Sequence, residues 1–141
     1  MIELTDTLRA AVDGAIDQGR VLTLAYIDDD GRPHATFFGS VHVHSNDQLA
    51  LWVRDPNGGL PKAIATRPHV ALVYADISTK TYFRFAGRAR LAADPETRER
   101  VFTEMHPIEQ KFDADRKGVA VVIDLDAANG YDKAKPFSMT R

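Results

Sequence analysis

The sequence predicts a mainly β protein: an antiparallel barrel of six strands with short helices at its periphery. Three observations carry this. Six stretches are rich in β-branched and aromatic residues, most of them joined by short polar or glycine turns. Three of the stretches alternate an apolar face with a mixed one. Long helical crossovers, which a parallel sheet requires, are scarce.

The elements follow in order. Leu4, Leu8, Ala11, Val12, Ala15 and Ile16 recur at helical spacing, with Thr5 or Asp6 as the cap and Gly19 at the end. Residues 21–27 form the first strand, and Asp28-Asp29-Asp30-Gly31 turns the chain into the second, residues 33–44. That strand is longer than usual, so a bend or bulge is expected near Gly39. Ser45-Asn46-Asp47 leads to the third strand, residues 48–54, and a short helix covers residues 62–67. Strands at 69–75 and 81–91 are joined by a polar turn. Asp94-Pro95-Glu96 starts a helix through about Met105, and residues 119–125 form the last strand.

Parity assigns the faces. In the second strand Ala35, Phe37, Gly39, Val41 and Val43 share one face, and His34, Thr36, Phe38, Ser40, His42 and His44 the other. The third strand sets Leu49, Leu51 and Val53 against Ala50, Trp52 and Arg54. The strand from Thr81 points Phe83, Phe85, Ala89 and Leu91 inward, leaving Tyr82, Arg84, Arg88 and Arg90 outside. The mixed faces carry Phe38, Trp52 and Tyr82, which suit a ligand, a second subunit, or simple cover by the helices.

Composition narrows the function. At 141 residues, the expectation is one domain spanning residues 1–141, without repeats or linkers. A net charge of −2 and a pI near 6.2 give no electrostatic case for nucleic acid or an anionic membrane. Absence of cysteine excludes disulfides, zinc-thiolate sites and thiol catalysis. Lacking an apolar run of membrane-spanning length and a basic-then-apolar start, the chain is expected to be soluble and cytoplasmic.

The segment Arg54-Asp55-Pro56-Asn57-Gly58-Gly59-Leu60-Pro61-Lys62 holds the chemistry. Glycines, free N–H groups at a helix start and two flanking cations are what a phosphate needs. Trp52, just before it, offers a flat surface for a planar ring. An Asn-Gly turn leading into an ordinary capped helix accounts for the same residues equally well.

Together these stretches resemble the pyridoxamine-phosphate-oxidase-like family of split β-barrel flavoproteins. The residues that carry the resemblance are Gly31-Arg32-Pro33-His34-Ala35-Thr36-Phe37-Phe38, Leu49-Ala50-Leu51-Trp52-Val53 and Lys62-Ala63. It continues through Arg67-Pro68-His69-Val70-Ala71-Leu72 and Tyr82-Phe83-Arg84-Phe85-Ala86-Gly87-Arg88-Ala89. The resemblance implies a homodimer binding FMN, or the deazaflavin F420, in clefts at the subunit interface. It places Thr36, Phe37 and Phe38 along the flavin and ribityl chain, and Trp52 and Val53 at the isoalloxazine ring. Lys62 falls on the family's phosphate-binding lysine, and Tyr82 where a polar side chain reaches the flavin. Arg54 either grips the phosphate in bidentate fashion or is a solvated strand-end arginine.

Departures matter as much. Pro61 stands where the oxidase carries a cation, and Thr36 where it carries another basic residue. The phosphate grip must therefore lean on Gly58, Gly59 and the helix dipole. The segment from Trp52 to Lys62 is longer than in the oxidase, and residues 130–141 lack its basic, tryptophan-containing substrate segment, so pyridoxamine phosphate is not the expected substrate.

The expected activity is FMN-dependent two-electron transfer to or from a small organic molecule. F420-dependent reduction is the alternative enzyme, and a non-catalytic flavin- or haem-binding carrier or sensor the alternative class. Because the flavin performs the redox step, no catalytic acid, base or nucleophile is assigned. His42 and His44 share a strand face but lack a third ligand, so they read as a surface or interface pair and not a metal site. His34 and His69 read as structural, and His106 as a cap at the end of the preceding helix. The aspartate turn reads as solvated, and Arg84, Arg88 and Arg90 as partners in cross-strand ion pairs.

Overall fold

The computed structural model describes residues 1–141. Its helices are α1 (Asp6–Asp13), α2 (Gly59–Ile64), α3 (Pro95–Glu104) and α4 (Pro107–Phe112). The strands are β1 (Thr23–Ile27), β2 (Pro33–Phe37), β3 (His42–Ser45), β4 (Gln48–Val53), β5 (His69–Asp76), β6 (Thr81–Leu91), β7 (Val119–Asp132) and β8 (Lys135–Thr140). None of the helices is long and apolar enough to cross a membrane.

Eight strands replace the expected six because residues 33–44 break into β2 and β3, and the final strand runs on to Asp132 before returning as β8. The sheet order is β2-β1-β5-β6-β7-β4-β3, with β8 paired to β7 and every pairing antiparallel. Consecutive strands β2 and β3 thus lie on opposite edges. Laid flat, six steps of about 4.8 Å would separate those edges by about 29 Å. The five peptide steps from Phe37 to His42 reach about 18 Å at most. The sheet must therefore curl until its edges approach, giving a split barrel.

The corner at residues 38–41 is built for this. Ser40 is buried, and its hydroxyl donates to the Trp52 carbonyl at 2.8 Å while accepting the Trp52 amide at 3.0 Å. One side chain thus replaces a missing backbone rung beside β4. A Cβ on Gly39 would lie 2.9 Å from Ile16 Cδ1 and 3.1 Å from Glu109 Oε2, so a larger residue at the corner would require those side-chain ends to shift. The bend expected near Gly39 is a complete strand break. It also reverses the parity: Phe37 points outward, 74% exposed, and Phe38 packs on the core, while Val41 and Val43 beyond the corner face inward. The expectation that Phe37 shares one face with Val41 and Val43 is corrected by that rotation.

Elsewhere the local signals hold. Thr5 caps α1 by accepting the Leu8 amide at 3.2 Å, although the helix stops at Gly14, where tight turns lead to Gly19 at φ +69. Asp94 caps α3 by accepting the Thr97 amide at 3.0 Å. Along β6, Phe83, Phe85 and Ala89 are buried as alternation requires, although Leu91 at the strand end is exposed. Outside, Arg88 pairs with Asp126 and Arg90 with Asp124, each at 3.1 Å, as expected for cross-strand ion pairs. His106 differs: it begins α4, its Nδ1 accepting the Ile108 amide while Nε2 donates to Asp17 at 2.7 Å. An unforeseen helix after Pro107 turns the expected C-terminal cap into an N-terminal one.

Two apolar layers result. The barrel interior holds Leu24, Leu49, Leu51, Leu72, Phe85, Val121 and Ile123. A smaller layer lies outside β4 and β7 beneath α3, where Ala50, Trp52 and Val122 meet Val101, Phe102 and Met105. Trp52 is only 2% exposed. Its ring meets Phe102 edge-on at 5.0 Å, Arg98 lies over it at 4.8 Å, and Nε1–H donates to Asp113 at 2.8 Å. Trp52→Ala is expected to cost about 3–5 kcal/mol of stability, measured by urea denaturation. A loss below about 1 kcal/mol would contradict this packing.

His42 and His44 lie against the same layer and are buried, not surface residues. His42 Nδ1–H donates to the Ser40 carbonyl at 2.8 Å, leaving Nε2 buried without a partner. Burial is the largest influence and pushes the His42 pKa below its ordinary 6.5. Arg100 pushes the same way, whereas the Ser40 carbonyl, Asp13 and Glu104 favour the charged form but do not prevail. A depressed imidazole pKa contributes stability above about pH 6.5 that is lost as pH falls below it. Carboxylates whose pKa is lowered from 3.8, such as Asp94, weaken the fold only at more acid pH. The urea midpoint should therefore fall between about pH 7.5 and 5 in the wild type and change less in His42→Gln.

Candidate functional site

The first element of the site is a groove of about 260 Å³ between the β1–β2 hairpin and α2, lined by Tyr26, the three aspartates, His34, Gly59 and Lys62. Gly31, at φ +76, makes the hairpin turn. Asp28 Oδ1 accepts the amides of Asp30 and Arg32, and Oδ2 meets His34 Nε2 at 2.7 Å. The His34 hydrogen bond is the largest influence holding the Asp28 carboxyl below its ordinary range. The His34 ring stacks on Tyr26 with centroids 4.8 Å apart. Asp29 pairs with Arg67 at 2.8 Å. Two of the three acidic groups thus have cationic or imidazole partners, while Lys62 makes no ion pair and is exposed. Thr36, also exposed, shares the His34 face of β2, so both side chains turn to the groove side.

The glycine-rich segment is arranged differently from its sequence reading. α2 begins at Gly59, not Lys62, which places Lys62 in the helix's last turn. The Gly58 amide is used by the Asp55 carbonyl at 3.0 Å. A Cβ on Gly59 would sit 2.3 Å from Tyr26 Oη, so this glycine is explained by close packing on the tyrosine. Leu60 and Pro61 are buried, plugging the barrel end. Arg54 turns to α4, its guanidinium 4.9 Å from the Phe112 ring centre.

The second element is the outer face of β2-β1-β5-β6-β7. Register places Ala35, Ala25, Ala71, Ala86 and Ala127 in one row across five strands. The adjoining row is Phe37, Thr23, Val73, Arg84 and Asn129, and beyond it Ala75, Tyr82 and Tyr131 stand side by side. Small side chains make the centre flat, and Phe37, Val73, Tyr82 and Tyr131 stand exposed around it.

Of the sequence-predicted residues, Lys62 lines the groove and Thr36 lies on the same face of β2 as His34 but outside the groove lining, while Phe37 and Tyr82 share the outer sheet face. Phe38 and Val53 pack on the core, and the Trp52 indole is enclosed beneath α3. Neither ring platform nor free hydrogen-bonding edge remains at Trp52. Tyr131 and Asn129 lie beyond Leu125, where the sequence pattern alone ends the last strand, in the continuation of β7 to Asp132. The alternation of buried Ala128 with outward Asn129 and Tyr131 was the available signal. Within the chain, no cluster of three or more His, Asp or Glu side chains is placed to hold a metal ion.

Comparison with known proteins identifies the lineage of this fold. The sequence model of the pyridoxamine 5'-phosphate oxidase family matches residues 8–133. No curated protein matches the chain. General stress protein 26 from Bacillus anthracis is similar in structure, with a TM-score of 0.70 at 18% identity over 95% of this chain and 98% of that one. A Clostridium acetobutylicum protein related to general stress protein 26, of the pyridoxinephosphate oxidase family, gives 0.69 at 10% identity over 96% of each chain. HupZ of Group A Streptococcus gives 0.68 at 15% identity over 91% of this chain and 92% of that one. At such identities these likenesses are of fold.

Proposed function

The chain belongs to the pyridoxamine 5'-phosphate oxidase family, and on that premise we propose that it is an FMN-binding homodimer that transfers two electrons to or from a small organic molecule in the cytoplasm. Proteins of this family commonly bind flavin and are often dimers. The observation that carries the reading is the flat outer sheet face, on which Phe37, 74% exposed, stands with Tyr82 and Tyr131 around a row of alanines. Rings this exposed on a flat apolar face are what a second copy and a planar cofactor would cover.

The residues fit the cofactor in part. Lys62 is an ammonium without an ion pair at an open groove, and Thr36 is an exposed hydroxyl on the same strand face as the groove residue His34. Together they would hold the phosphate, with Lys62 supplying a charge-assisted hydrogen bond. Tyr82 and Phe37 would lie against the ring system, and the second copy would exclude water from it. Gly58, Gly59 and Arg54 already have structural partners and add less than the glycine-rich sequence promises. The flavin, when bound, supplies the two-electron step, so the chain needs to bind and orient and not to provide a nucleophile.

Flavin absorbance of the protein purified without added cofactor, followed by FMN titration, tests the reading. Lys62→Ala should weaken FMN binding by about 1.5–3 kcal/mol, or roughly ten- to a hundred-fold, while the urea midpoint stays put. A protein that remains monomeric and takes up no FMN would overturn the proposal, and uptake of F420 in place of FMN would change the cofactor.

A further inference from the structure

Three arginines of β6 face outward, and one differs electrostatically. Arg88 and Arg90 each face a carboxylate on β7, at Asp126 and Asp124. Arg84 faces Asn129, whose neutral Oδ1 accepts from Nε at 3.0 Å. That bond fixes the guanidinium through its Nε–H and leaves both terminal amino groups without a protein acceptor. Its surroundings are apolar: Val73 lies beside it on β5, and Tyr82 and Tyr131 stand one rung away. A cation held there is costly wherever a second copy covers the face, unless an anion joins it.

The four side chains form a rectangle. Tyr82 is directly opposite Tyr131, and Arg84 directly opposite Asn129. The sides measure about 5 Å across the strands and about 6.6 Å along them. Beneath lies the Tyr74–Phe83 stack, with ring centres 4.5 Å apart, and the depression has a volume of about 300 Å³. Gly130, at φ +143, lets β7 approach β6 here, because a Cβ would meet the Tyr82 carbonyl at 2.0 Å. Two phenol rings, one planar cationic fork and a small volume match a flat ring carrying a single planar negative group.

We propose that Arg84 is a specificity-determining residue and that the substrate is a small aromatic carboxylate, its ring held at Tyr82 and Tyr131 and its carboxylate bound by the terminal amino groups of Arg84. This inference rests on the flavin reading for its place beside the cofactor. The anion site itself lies within one chain. Asn129 acts through Arg84 as a positioning residue. One cation accounts for one negative charge, and the two free terminal amino groups can receive a carboxylate in bidentate fashion.

Benzoate and benzamide, titrated by calorimetry into the full chain with and without FMN, test it. Benzoate should bind at least about tenfold more tightly than benzamide, because only the carboxylate completes the charge-assisted pair. Arg84→Met should remove that preference while leaving FMN stoichiometry and the urea midpoint unchanged. Arg84→Lys should recover part of it, and Arg90→Met should leave it intact. Equal binding of the two probes, or a preference that survives Arg84→Met, overturns the proposal. So does a change in dimer dissociation with no change in benzoate binding, since Arg84 would then serve a carboxylate of the second copy. If the chain takes up no flavin, the preceding reading fails by itself, and the flavin-free titration still reports on Arg84.

Discussion

A four-residue corner between opposite edges of one sheet governs this molecule. Because residues 38–41 are too short to span a flat sheet, the strands must roll, and rolling creates the interior that Leu24, Leu49, Leu72, Phe85 and Ile123 fill. Everything that holds the corner is local and polar. The Ser40 hydroxyl bonds both backbone groups of Trp52, and Gly39 admits the α1 tail at contact distance. Closure then transmits outward, since anchoring the corner to Trp52 also fixes the strand on which α3 lies.

The curl divides the outside of the sheet into two territories with different fates. Over β4 and the first half of β7, α3 covers the surface with Val101, Phe102 and Met105, so Trp52 becomes core. Over β2, β1, β5, β6 and the second half of β7, the chain provides no helix, and Phe37, Val73, Tyr82 and Tyr131 remain exposed. A bulge at Asp126 separates the two halves of β7 and lets one strand pair first with β4 and then with β8. Gly87 sits opposite that bulge because a Cβ would press to 2.4 Å from the Asp124 carbonyl. An aromatic residue on a mixed face therefore means core in one territory and exposed surface in the other.

Charge is sorted in the same way. Arg88, Arg90 and Arg67 are neutralised by neighbouring carboxylates, and Arg54 and Arg98 lie over aromatic rings. Lys62 and Arg84 face open depressions without making an ion pair, although aspartates line the groove at Lys62. Where a scaffold commits most of its cations to structural partners, the uncommitted ones at concave places are where an anionic ligand gains most.

By itself the sequence determined what depends on neighbours a few residues apart. The Asp94 cap, the Gly31 turn, the alternation of Phe83, Phe85 and Ala89, and the need for some irregularity near Gly39 each follow from backbone geometry and side-chain period. The family resemblance, too, was legible in the order of the β-rich stretches. Tertiary structure alone decided what depends on which strands become neighbours. It separated β2 from β3, reversed Phe37 and Phe38, enclosed Trp52 and the His42–His44 pair, and began α2 before Lys62. The physical reason is that alternation tells which side chains share a face but not what later covers it. Cover comes from α3 and from the curl of the sheet, joining residues far apart in the chain, and no local pattern encodes that pairing.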